Sequence, residues 1–319
     1  MAITLALAGD TMLGRGVAER LKESPPQSLF APDLAEVFRE ADLVVLNLEC
    51  CISARGTPWP APGKPFFFRA PPAAVEALVY LGVDCVTLAN NHALDFGSDA
   101  LLDTLGYLSA AGIACVGAGK DVDEARAASV LEANGLRLGV LGVTDHPEGF
   151  AAAHDRPGVA FADLRRGVPD WLLQAIAAVD ADAVLVPPHW GPNMASDPVA
   201  HVRQAGPRLI QAGATVVAGH SAHVFQGVEG HILYDLGDFI DDYVVDPVLR
   251  NDLGLVFLLT LDSLGPLRLE AVPIALEFCH TRLADPVEAE WIRRRFRQAC
   301  SALATEVHEQ EERLLITWR

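Results

Sequence analysis

Basic residues are scarce in this chain. Lysine and arginine together number 24, against 42 aspartates and glutamates, for a formal net charge of −18 over 319 residues. So acidic a surface repels phosphodiester backbones and anionic lipid, which argues against nucleic-acid or membrane-surface binding. An anionic small substrate stays open, because a bound metal ion can invert the local sign. Cysteine is sparse too. Cys50, Cys51, Cys85, Cys115, Cys279 and Cys300 form no CxxC pair, and Cys85 and Cys115 sit in apolar runs as small core residues. Cys50 and Cys51 adjoin Glu49 but read as filler. No lysine or arginine precedes the short apolar opening, which Asp10 ends, so it reads as a first strand rather than a signal peptide or membrane anchor. A soluble, cytoplasmic chain is expected, and its oligomeric state is left open. No low-complexity tail suggests disorder.

Apolar residues make up 51% of the chain, enough for a substantial core. Buried-strand patterns alternate with helical ones nearly throughout, with no repeat and no shift in composition. This predicts one α/β domain over residues 1–319, closed by an amphipathic helix at about 286–313. Two long irregular segments interrupt it, at 53–72 and at about 146–163. Loops of that length in a compact domain are usually functional or mobile. The first holds six prolines and Lys64-Pro-Phe-Phe-Phe-Arg69. It reads either as a lid or as a crossing strand that buries two of the three rings.

The chemistry concentrates where strands end. Thr215-Val-Val-Ala-Gly219 is a β-branched run broken by glycine, and His220 and His223 follow. Open α/β sheets bind ligands at that edge. Two turn histidines on the surface are the competing reading. Other strand ends weigh against it, because they carry Asp10, Asn47 with Glu49, Asn91 with His92, and His189. Turn chemistry explains one such residue and does not readily explain them all. Mixed oxygen and nitrogen donors without thiolate suit one or two ions of Mn, Fe, Zn, Co or Ni.

The ordered set Gly9-Asp10, Asn47-Leu48-Glu49, Asn90-Asn91-His92, His189-Trp190-Gly191, Gly219-His220-Ser-Ala-His223 and Tyr234-Asp-Leu-Gly-Asp-Phe239 resembles the CapA-type proteins. These are named for poly-γ-glutamate capsule synthesis and belong to the calcineurin-like metallophosphoesterase superfamily. The resemblance covers residues 3 to about 275. It implies a four-layer α/β/β/α sandwich with a two-metal centre. One ion would be held by Asp10, Glu49 and His223, the other by Glu49, Asn91, His189 and His220, with Glu49 bridging. His92 would be the general acid, oriented by Asp95. The superfamily's first motif is Asp-x-His, and Met12 stands here in place of that histidine. Asp235 and Asp238 are spare carboxylates nearby and read as turn residues or hydrogen-bond partners.

Arg15, Lys64 and Arg69 are candidates to receive a substrate carboxylate or phosphate. His146 and Trp190 are candidates for substrate contact, the latter with Phe66 to Phe68 and Phe150. His154, His201, His231, His280 and His308 read as structural or exposed. The resulting expectation is a metal-dependent hydrolase acting on a phosphate ester or a peptide or γ-glutamyl amide through activated water. One alternative is an epimerase that moves a peptide α-proton with Asp10 and His92 as its acid/base pair. Another is a non-catalytic member that binds polymer or partners.

Overall fold

A computed structural model describes residues 2–60 and 63–318. Pro62, one of the prolines of the first irregular segment, lies outside the described residues, as do the first and last residues of the expected domain. In chain order the main elements are β1 (Ala2–Thr11), α1 (Arg15–Glu23), α2 (Pro32–Phe38), β2 (Leu43–Leu48), α3 (Val75–Tyr80), β3 (Cys85–Thr87), α4 (Gly97–Ala110) and β4 (Ala114–Val116). Next come β5 (Ser129–Ala133), β6 (Leu136–Val140), α5 (Asp170–Ala177), β7 (Ala183–Val186), α6 (Ala200–Gln211) and β8 (Val216–Ala218). The last third holds β9 (Val228–Glu229), β10 (Ile232–Leu233), β11 (Asp238–Ile240), β12 (Leu253–Asp262), β13 (Gly265–Glu277) and β14 (His280–Leu283). It closes with α7 (Pro286–Ser301), β15 (His308–Gln310) and β16 (Arg313–Thr317).

These strands form two large sheets. The first runs β15-β16-β13-β12-β1-β2-β3-β4, with β11 beside the end of β1 and β14 beside β13. The second runs β9-β10-β8-β7-β6-β5. Strand side chains alternate between faces, and here the alternation sorts them into three cores. Leu5 and Leu7 of β1, Val45 of β2 and Leu255, Phe257 and Leu259 of β12 share one cluster with Leu185 of β7 and Val216 of β8, so that face lies between the sheets. Ala6, Ala8, Val44 and Leu46 face the other way, onto Val17, Leu34, Leu78 and Leu101 of the first four helices. On the second sheet Val184, Val186 and Val217 pack on Leu172, Ile176, Val202 and Leu209 of α5 and α6. The result is the expected order of layers, helix, sheet, sheet, helix.

The C-terminal expectation needs correction. Asp285 caps α7 with a capping box completed by Glu288, and Pro286 occupies the first turn, but the helix stops at Ser301 rather than near 313. The chain turns back through Ala304, whose φ is +58°, and Arg313–Thr317 pairs antiparallel with β13, with β15 beyond it at the sheet edge. The apolar Leu314 and Ile316 are buried in the inter-sheet core, which a continued helix could not reach. The Phe66–Phe68 run also differs from expectation. Of the three rings only Phe68 is buried, and Phe66 is 52% exposed.

Close backbone approach at the ends of β1 and β8 requires glycine. A Cβ on Gly9 would lie 1.9 Å from the Gly237 carbonyl oxygen, and one on Gly219 would lie 2.1 Å from the Tyr234 carbonyl oxygen and 2.4 Å from the Trp190 indole nitrogen. Gly219→Ala should therefore destabilise the chain by about 3 kcal/mol in a denaturant melt, because backbone and a buried indole must both yield. An unchanged melt would show that β8 can shift freely.

Candidate metal centre

Sheet register assembles half of the site. Asp10 pairs with Asn47 across β1–β2 and with Asp238 across β1–β11, and both ladders slip register beside Asp10. Such a bulge re-aims a side chain at a strand end. Asn47 Nδ2 donates to Asp10 Oδ1 at 2.7 Å. Asn90 Nδ2 donates in turn to Asn47 Oδ1 at 3.0 Å, and the His92 backbone N–H donates to Asn90 Oδ1 at 3.0 Å. This chain of amides ties together the ends of three neighbouring strands. The second sheet brings the imidazoles. His189 and His220 form a parallel β-bridge, and the His220 N–H donates to the Pro188 carbonyl at 2.9 Å. His223 follows with φ of +59°, a left-handed conformation that a bulky residue adopts at a cost of order 1–3 kcal/mol.

Asp10, Glu49, His223 and Asp238, all buried, each offer a donor atom, and these atoms lie within 4.8 Å of one another. His223 Nδ1 is 2.8 Å from Asp238 Oδ1 and 3.5 Å from Asp10 Oδ2. His220 Nδ1 lies 3.2 Å from Asp10 Oδ1 without hydrogen-bond alignment, so that contact is electrostatic. Several polar atoms here are buried without a hydrogen bond: Asp10 Oδ2, both Glu49 oxygens, Asn91 Oδ1, His189 Nδ1 and Asp238 Oδ2. Burial pushes Glu49 and Asp238 well above the usual carboxylate range, reinforced by neighbouring acids, with Asp10 foremost for Glu49 and Asp241 for Asp238. Burial also acts to raise Asp10, but His220, His189 and His223 together hold it well below that range. Burial lowers His189 well below the ordinary imidazole value. Orphaned carboxylates this deep are costly unless paired or bound to a cation. The donor set therefore fits a divalent ion. His189 and His220 are not in that group of four, and Asn91 Oδ1 is a further buried oxygen without a hydrogen bond.

Beside these residues His92 Nδ1 is 2.6 Å from Asp95 Oδ2, and His92 Nε2 faces Glu49 Oε1 at 3.9 Å. A carboxylate accepts only, so Asp95 fixes the proton on Nδ1 and leaves Nε2 as the working atom. The Phe68 ring stacks on the imidazole with centroids 3.9 Å apart, and the Phe68 N–H donates to Asp95 Oδ2 at 2.7 Å. Burial brings His92 down to about 4, against the upward pull of Asp95, so the ring is neutral near pH 7.

The other sequence candidates fare unevenly. Lys64 Nζ pairs with Asp95 Oδ1 at 3.0 Å and donates to the Asn91 carbonyl at 2.7 Å, so it braces the His92 loop rather than presenting a free charge. Arg69 faces elsewhere. Its guanidinium stacks over Phe96 and donates to the Arg55 carbonyl at 2.9 Å. Trp190 is also a correction. Its indole is buried in the outer core and donates to the Tyr234 carbonyl at 2.9 Å. His146 is held by Asp145 and lies 5.3 Å, ring to ring, from His189. His201, read as structural or exposed, contacts the other Asp145 oxygen at 3.0 Å. Arg15 does face a cavity at the centre. Met12 is buried in the outer core, where its sulfur accepts from the Gly14 N–H at 3.0 Å. Asp238, read as a turn residue or hydrogen-bond partner, does share a 2.8 Å hydrogen bond with His223 Nδ1, and it also falls within the group of four. The sequence did not single out Tyr243, whose ring meets His223 edge-on at 5.4 Å.

Known proteins bear on this arrangement. The model of the family described as bacterial capsule synthesis protein PGA_cap matches residues 4–243. A Mycobacterium tuberculosis protein described as a probable polyglutamine synthesis accessory protein is 32% identical over 91% of this chain and 89% of its own length. The PGA biosynthesis protein CapA of Bacillus subtilis is 31% identical over 75% of this chain, which spans 63% of that protein. Among solved structures, a hypothetical protein from Thermus thermophilus superposes with a TM-score of 0.43 at 15% identity, covering 88% of this chain and 96% of its own. A 5'-nucleotidase from Candida albicans gives 0.41 at 12% identity, over 81% and 47% respectively. The matched span runs from β1 past β11 and takes in every residue of the group of four, so this chain belongs to the bacterial capsule synthesis protein family, PGA_cap.

Proposed function

We propose that this chain is a divalent-metal-dependent hydrolase acting on a phosphate ester or on an amide of a peptide or γ-glutamyl chain. The observation that carries this reading is the group Asp10, Glu49, His223 and Asp238, buried with orphaned oxygens beside the His92–Asp95 pair. Those four residues would hold one ion, and His189, His220 and Asn91 would be the donors for a second. A cation there would polarise a phosphoryl or carbonyl oxygen and acidify water. His92 Nε2, with its tautomer fixed by Asp95, would pass a proton to the departing oxygen or nitrogen. Phe68 covers the imidazole face and keeps bulk water from it. The relatives named for polyglutamine and PGA synthesis support a glutamyl chain as one substrate to test.

The epimerase alternative is less well supported. Its second acid/base group would be Asp10, which is held by Asn47 and lies against His220 and His223, and which those imidazoles make a poor base. The non-catalytic alternative leaves the oriented His92 unexplained.

The test uses the full chain, stripped by chelator and reloaded with Mn, Co or Zn. Bis-p-nitrophenyl phosphate and γ-glutamyl-p-nitroanilide are the probes, and elemental analysis follows metal content. Turnover of either probe should require reloading. Absence of both metal uptake and turnover would sink the proposal. Deuterium entering a peptide α-carbon without cleavage would replace it with the epimerase.

A further inference from the structure

Beside the centre lies a cavity of about 520 Å³ whose lining includes His92 and His223, so it opens directly onto the candidate metal residues. Its walls are largely apolar: Phe66, Phe68, Met194, Tyr243, Val244 and Val245. Arg15 is the one lysine or arginine among its described lining residues, and Asp246 is the one acid. We propose that this cavity receives an organic anion with an apolar body and a single carboxylate, and that Arg15 takes the carboxylate. The proposal rests on the hydrolase reading only in assuming that the reacting end of that molecule points to the metal residues.

Three observations support it. The Arg15 guanidinium is already oriented: it lies 5.1 Å from the Phe66 ring centre and 5.8 Å from that of Phe68, with Nε 3.3 Å from Asp242 Oδ2. That contact engages Nε rather than the two terminal nitrogens. A pre-placed fork of this kind matches a planar carboxylate. Second, Arg15, Met194 and His223 have φ of +48°, +55° and +59°, and all three line this cavity. Left-handed conformations at bulky residues collect at ligand clamps. Third, the Tyr243 ring adds apolar wall, with centroids 5.8 Å from Phe68 and 5.4 Å from His223, a surface that suits an apolar body.

Charge limits the class further. Asp246 accepts from the Val248 and Leu249 N–H groups at 2.8 Å each, which holds its carboxyl below the usual range and keeps it charged. With Asp242 already on Arg15, a second carboxylate on the ligand would meet no second lysine or arginine among the described lining residues. A run of acidic residues therefore fits this cavity poorly, and a carboxylate carried on an apolar group fits it well.

The experiment is calorimetric titration of the full, metal-free chain, so that no ion at the centre can capture a carboxylate. The probes are N-acetyl-L-phenylalanine, its amide, and N-acetyl-L-glutamate. The phenylalanine acid should bind about ten-fold more tightly than its amide and than the glutamate probe. Arg15→Met should reduce the acid to the affinity of the amide while leaving amide binding unchanged, which also shows that the variant is folded. Phe66→Ser should weaken acid and amide alike. Equal binding of acid and amide, tightest binding of the glutamate probe, persistence of the preference in Arg15→Met, or no binding by any probe would each overturn the proposal. Metal content and turnover of the reloaded chain are read separately, so a failed hydrolase reading would show there and not in the Arg15 dependence.

Discussion

Glu49→Gln should cost the chain its tight divalent ion and still leave its metal-free form more stable than metal-free wild type. Both Glu49 oxygens are buried without a hydrogen bond, among Asp10 and Asp238. Without a cation that carboxylate contributes desolvation and repulsion. Glutamine keeps the shape of that side chain and has no charge to desolvate, which favours the metal-free variant wherever Glu49 would ionise. With a cation the balance reverses. Wild type should gain about 2.7 kcal/mol at a metal concentration a hundred times Kd, and the variant far less. Hydrolytic turnover should fall with the lost metal, by at least about a thousand-fold. The pH dependence of the metal-free form follows the same logic. Glu49 and Asp238 have folded-state values raised above their unfolded ones, chiefly by burial. The folded chain then holds more protons than the unfolded one, so stability falls as pH rises. His223 is also raised, its burial outweighed by Glu49 and Asp10, and it acts in the same direction. His92 and His189 are lowered by burial and act oppositely, but only below the ordinary imidazole value of about 6.5. As pH rises above about 6.5 the metal-free protein should lose melting temperature, and added metal should abolish the loss. Thermal melts with and without chelator check both points. A Glu49→Gln chain that melts below metal-free wild type, or that keeps its metal, would refute the argument.

The second large effect belongs to His92. His92→Gln should lower kcat by about 10²- to 10⁴-fold while metal content stays at the wild-type level. The imidazole is tethered to Asp95 and covered by Phe68, and it is not among the four converging donors. Asp95→Asn should cause a smaller loss, because it frees the tautomer without removing the proton carrier. The two variants therefore separate proton transfer from metal capture. A parallel loss of metal and turnover in His92→Gln would instead make His92 a ligand.

Much of this arrangement was legible in the chain, for a definite reason. A buried β-branched run announces its own end, and Asp10, Glu49, His220 and His223 all stand just past or at such ends. What linear reading lacked was the pleat and the return of distant segments. His189 and Trp190 are adjacent, so they point to opposite faces, one to the rim and the other into the outer helical layer. That alternation removed Trp190 from the substrate candidates. Asp238 read in the sequence only as a turn residue or hydrogen-bond partner. Its role becomes visible only when β11 pairs with β1 and sets it beside Asp10. Arg69 was plausible by proximity to Lys64, but the strand it starts carries it onto Phe96. The helix expected to reach 313 failed because Leu314 and Ile316 gain more as part of a strand beside β13, over the inter-sheet core.

The two sheets contribute to the site from opposite sides: Asp10, Glu49 and Asp238 from one, His189, His220 and His223 from the other. All six cysteines are free, so no covalent staple joins the layers. A bound cation would do that job, acting as a removable rivet at one end of the sandwich. Its departure should loosen the seam from that end, and faster amide exchange at the tips of β1 and β8 would mark where the halves begin to part.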